Sequence, residues 1–124
     1  MEEVTNITRE EVLSLIEEFP VTPLKNRLII TVNMTNPNSQ LSLEDVSFSE
    51  TQYVLAVGSH CHEIQEGDKV LLDIEAMMKY EYVDTNTDEK VGRILIKPIV
   101  VGNRTFGLIT DRFVEAIDYR DEDN

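Results

Sequence analysis

Two hydrophobic periods divide the chain. Near the start, apolar residues fall at Val12, Leu15, Ile16 and Phe19, the spacing of one face of a helix. Thr8-Arg9-Glu10-Glu11 comes just before them. It matches a capping box, in which the N-cap hydroxyl takes the amide of the third helical residue and the glutamate there reaches back. Pro20 stops the run, because its ring collides with the preceding turn and it has no N–H to donate. The pattern predicts one short amphipathic helix of about three turns. Its stripe must lie on the chain's own domain or on a partner.

After Pro23 the period changes to two. Arg27 to Asn33 alternates Leu28, Ile30 and Val32, and Gln52 to Val57 alternates Tyr53, Leu55 and Val57. Lys69 to Ile74, Met78 to Val83, Arg93 to Val101 and Arg104 to Ile109 read as further strands, the last two as a hairpin across Gly102-Asn103. Pro98 belongs on an edge or at a bulge, since it has no amide for a central ladder. Phe113, Val114 and Ile117 close the core, and Asp121 to Asn124 reads as a frayed tail. The expected fold class is all-β: six or seven short strands in a small barrel or sandwich, with one N-terminal helix. Residues 1–22 form the arm, 23–118 the domain and 119–124 the acidic tail.

Two polar segments are long enough to be functional loops, Met34 to Glu50 and Asp84 to Lys90. The first carries Leu41, Leu43, Val46 and Phe48. An ordinary solvated loop has no need of them, so they pack back on the domain or reach a partner. With the helix stripe (Val12, Leu15, Ile16, Phe19), they are the candidate partner-binding residues.

Composition narrows the function. The chain has 124 residues, enough for one domain with its own core. Its net charge of −13 repels phosphate backbones, which argues against nucleic acid and for protein partners. No apolar run is long enough to span a bilayer, and the acidic start does not resemble a secretion signal. The expected location is cytoplasmic or in a virion, not secreted. One cysteine allows no internal disulfide. The glycosylation sequons at Asn6, Asn33 and Asn103 are read as chance.

His60-Cys61-His62 is the main chemical candidate. On an extended strand the two imidazoles would share a side and could share a metal ion, with Glu63 or Asp68 adding oxygen. Against this, these are the only histidines, and the spacing matches no closed zinc pattern. The stretch lies between an apolar strand ending at Gly58 and the turn Glu66-Gly67-Asp68, and reads first as a connection. A nucleophilic Cys61 would need a base and an orienting group. The glycines are dispersed, so no phosphate-cradling loop is present. The expectation is a non-enzymatic protein–protein module with no metal, no catalytic residue and no cofactor.

The order of segments resembles the co-chaperonin GroES family. PLKNRLIITVN (Pro23 to Asn33) is similar to the family's opening strand. YVLAVGSHCHEIQEGDKVLL (Tyr53 to Leu72) resembles its "AVG … GD-x-V" segment, and FGLITDRFVEAID (Phe106 to Asp118) its closing segment. The resemblance implies a GroES-like, partly open β-barrel, often assembled into rings. It makes Met34 to Glu50 the counterpart of the family's mobile loop, which docks on a chaperonin. Here that loop has no glycine, and His60-Cys61-His62 stands where the family's roof hairpin would be. The N-terminal helix and the insertion Asp84 to Glu89 are additions. Bacteriophages carry divergent GroES-like proteins. Two expectations follow: an auxiliary or structural protein of a phage head, bound to a capsid or other structural protein, or a co-chaperonin capping a group I chaperonin.

Overall fold

The computed structural model describes residues 6–35, 48–84 and 89–120. Helix α1 (Arg9–Ile16) opens with the expected capping box: the Thr8 hydroxyl accepts from the Glu11 amide, and the Glu11 carboxylate takes the Thr8 amide. It ends a turn earlier than the periodicity suggests. Phe19 follows it on a tight turn and meets Phe106 edge-on, ring centroids 5.2 Å apart.

The strands are β1 (Arg27–Thr31), β2 (Thr51–Val57), β3 (Lys69–Leu72), β4 (Met78–Asp84), β5 (Glu89–Ile94), β6 (Lys97–Val101), β7 (Arg104–Thr110) and β8 (Val114–Ile117). Six form an open antiparallel sheet in the order β6-β7-β1-β2-β3-β8, while β4 and β5 make a separate two-stranded ribbon. The class is mostly β with one short capped helix on the sheet, as the periodicity predicts. Pro98 lies on an edge strand, also as expected.

Three details of the strands differ from the sequence reading. The expected strand Arg93 to Val101 is two strands, because the chain turns at Leu95-Ile96, where the Leu95 amide bonds Met77 O and that of Ile96 bonds Ile94 O. That break and β8 give eight strands among the described residues, not six or seven. Strand β3 ends before Ile74: the Asp73 carboxylate accepts from the Ala76 amide and starts a single helical turn, α2 (Ile74–Met77). The third difference is a bulge. Ile29 pairs with Ala56 but Ile30 pairs with Val54, so Leu55 is an extra residue in β2. A one-residue insertion reverses side-chain facing. Tyr53 and Leu55 therefore share one face, while Val57 is turned to the other.

Each face of the sheet buries a cluster. On one, Ile29, Leu55, Ala56 and Phe106 pack under Ile7 and Val12 of the arm and helix. On the other, Leu28, Ile30, Val54, Val70, Leu72 and Phe113 pack with Met77 of α2 and with Cys61 and Ile64 of the β2–β3 connection. The sheet is thus buried on both sides, which explains the nearly continuous apolar run of β1.

Candidate functional site

The polar residues of the arm and the β1–β2 stems converge at the base of the long loop. Gln52 is fully buried. Its amide oxygen accepts from the Thr31 hydroxyl at 2.6 Å and the Asn33 amide at 2.8 Å. Its amide nitrogen donates to Asn33 O and Ser49 O, both at 2.8 Å. One side chain therefore bonds the chain both where it leaves β1 and where it returns to β2. The Ser49 amide closes the same base on Asn33 O, and Met34 bridges Phe48 just above it.

Two asparagines add the arm. The Asn33 side chain takes the Ile7 amide at 2.8 Å and donates to Ile7 O at 2.9 Å. Asn6 does the same to Met34, donating to its carbonyl at 2.8 Å and accepting from its amide at 2.9 Å. Each mimics a strand pairing with its side chain. Buried amides of this kind are stable only when every donor and acceptor is used, and Gln52 uses all of its own. The base is thus a fixed platform from which the loop springs.

The partner-binding candidates fall into three groups. Leu41, Leu43 and Val46 lie outside the described residues. Phe48 is partly buried and packs with Val57 and Ile94 on the cluster of Leu28, Ile30 and Met77. In the helix stripe, Val12 is fully buried, and Leu15, Ile16 and Phe19 are partly buried with it on the opposite face, against Ile29, Leu55 and Phe106. The stripe lies on the chain's own sheet, because one face of that sheet would otherwise be bare. The large apolar side chain that α1 leaves exposed is Leu13, half accessible. An ion pair from Arg104 to Glu11, 2.6 Å, ties the helix to β7 and, with the Thr8 bonds, lowers the Glu11 pKa.

His60-Cys61-His62 sits in a turn, not on an extended strand. Both imidazoles are exposed, while Cys61 is buried and its thiol points at the carbonyls of Arg27 and Lys25, 3.6 and 3.9 Å away. Burial pushes the thiol pKa up, away from the reactive thiolate. Among the described residues, no three His, Cys, Asp or Glu side chains are grouped to hold a metal ion.

The turn is seated by its backbone. The Gly58 amide bonds Arg27 O at 2.8 Å and that of His60 bonds Lys25 O at 2.9 Å. A Cβ on Gly58 would lie 2.2 Å from Lys25 O, so only glycine allows this approach. Lys25 itself has a φ of 56°, the left-handed conformation that aims its carbonyl here. Beyond β8, Asp118 is held well below the usual carboxylate range by bonds from Arg120, with Lys69 adding to it.

No helix among the described residues is long and apolar enough to cross a membrane. No protein-family model matches the chain, and no curated protein matches it.

Sequence reasoning passed over Thr31, Asn33, Gln52 and Asn6. The available signal was polar residues inside apolar strands: a threonine after Leu28-Ile29-Ile30 and a glutamine before Tyr53-Val54-Leu55. A polar side chain on a buried face must find partners there.

Proposed function

We propose that the chain is a non-enzymatic, protein-binding subunit of a larger assembly, an auxiliary or structural protein of a phage head on a GroES-like scaffold. One observation carries this reading: a long loop with apolar residues leaves and re-enters the sheet through stems locked together by a single buried glutamine. Stems fixed in advance need no ordering of their own when a partner binds.

The GroES-like scaffold draws support from strand order. The segments that resemble the family supply β1, then β2 and β3, then β7 and β8. Those strands are contiguous in the sheet as β7-β1-β2-β3-β8.

A second reading, a co-chaperonin capping a group I chaperonin, is favoured by the loop's place between the first two strands. Leu41, Leu43 and Val46 would then bind apical grooves weakly, and a ring would add avidity. Light scattering on the protein, alone and with a group I chaperonin and ATP, separates the two. A structural subunit ignores the chaperonin. A seven-fold ring that joins it only with nucleotide, and loses capping in Leu41→Ser/Leu43→Ser, establishes the second reading and overturns the first.

A further inference from the structure

A groove of about 800 Å³ runs between the His60–Ile64 turn and β8. All four consecutive residues of β8 line it. A cavity on one face of a strand touches alternate residues, so this one runs along the strand's edge. Strand β8 ends the sheet, and no described strand pairs with its outer side. The Asp118 amide bonds Lys69 O inward, which turns the neighbouring Ile117 peptide outward in an antiparallel ladder. Glu115 is the extra residue of a bulge, since Leu71 pairs with Ala116 but Leu72 pairs with Val114.

The groove has an apolar floor of Ile64, Val114 and Ile117 and an acidic rim of Glu63, Asp111 and Glu115. None of the three carboxylates has an ion-pair partner among the described residues. The other titratable groups that face it are His60, His62, Cys61 and Tyr119, the last almost fully exposed at the rim. Among the described residues, no lysine or arginine lines it.

We propose that this groove docks an extended, basic segment of a protein partner, with lysine or arginine side chains at the rim and alternate apolar side chains on the floor. Charge selects that occupant. The chain's own ending, Asp121-Glu122-Asp123, has the wrong sign, and a second copy brings another net −13. Extended geometry suits an edge about four residues long, roughly 14 Å. This deepens the protein-binding reading and is independent of the Met34 to Glu50 loop, so loop variants leave it untouched.

The test uses the whole protein and two labelled octapeptides, alternating Lys-Val and alternating Glu-Val, followed by fluorescence anisotropy. The Lys-Val peptide binds, weakens as salt rises, and loses at least tenfold in affinity for Glu63→Lys/Glu115→Lys. A control with the same charge change on the exposed turn after α1, Glu17→Lys/Glu18→Lys, keeps the wild-type affinity. Equal losses in both variants would mean attraction to net charge alone and would overturn the proposal. So would equal binding of the Glu-Val peptide. So would a concentration-dependent dimer abolished by Glu63→Lys/Glu115→Lys, which would assign the groove to a second copy. Native circular dichroism of both variants confirms that a lost signal is lost binding.

Discussion

The loop base and the His60-Cys61-His62 turn both join β2 to a neighbouring strand, and they reverse each other's appearance. The turn holds the residue types that suggest chemistry, yet its imidazoles face outward and its thiol faces backbone carbonyls. The loop base holds amides and a threonine, ordinary in composition, yet Gln52 is fully buried and bonded at four points. Residue type indicates what a side chain can do. Burial and partners decide what it does. In this fold the turn's weight is carried by its glycine and its backbone, while the base's weight is carried by side chains.

Substitutions can break that contrast, from the largest expected effect to the smallest. Gln52→Leu keeps the volume but strands the Thr31 hydroxyl, the Asn33 amide and Ser49 O. It should cost about 2–4 kcal/mol in urea unfolding, since each buried group left unpaired costs about 1–3 kcal/mol. Gly58→Ala forces the turn off Lys25 O and should cost about 1–3 kcal/mol. A loss there much smaller than that would show the approach to be soft. Thr8→Ala removes the helix cap and should cost about 1 kcal/mol.

His60→Ala/His62→Ala should change stability by less than about 0.5 kcal/mol. Added zinc should shift the Tm of wild type and double variant alike, and a shift confined to wild type would make the turn a metal site after all.

Acid provides the mildest probe. Asp118 and Glu11 both have folded-state pKa values below their unfolded ones. In acid the unfolded chain therefore binds more protons at these positions than the folded chain. Their contribution is complete above the ordinary carboxylate range, about pH 4, and declines as pH falls below it. Asp118→Asn should flatten the acid side of the stability curve. Unchanged steepness would place the titration elsewhere.

Legibility in the sequence followed the same line. The capped helix, the edge position of Pro98 and the hairpin across Gly102 were readable because each rests on local chemistry. The facing of Val57 was not, because a bulge at Leu55 depends on how β1 and β2 register, and a single strand does not encode its partner's register. Strand β3 was read too long because Asp73 acts as a cap, which its apolar neighbours conceal. The stripe at Val12 was legible as a stripe, but its covering surface is built from Ile29, Leu55 and Phe106, strands far apart in sequence. The loop base failed to show for a related reason: Asn6, Asn33 and Gln52 meet only after the arm, β1 and β2 have come together.

Amide hydrogen exchange on Gln52→Leu against wild type tests the role of that base most directly. The account predicts a loss of protection at Ile7, Asn33, Met34 and Ser49 that exceeds the uniform fall at Val70, Leu72 and Asp118 expected from the lower global stability. A loss at those four amides no larger than at Val70, Leu72 and Asp118 would contradict it: the loop stems would then be held by something other than Gln52.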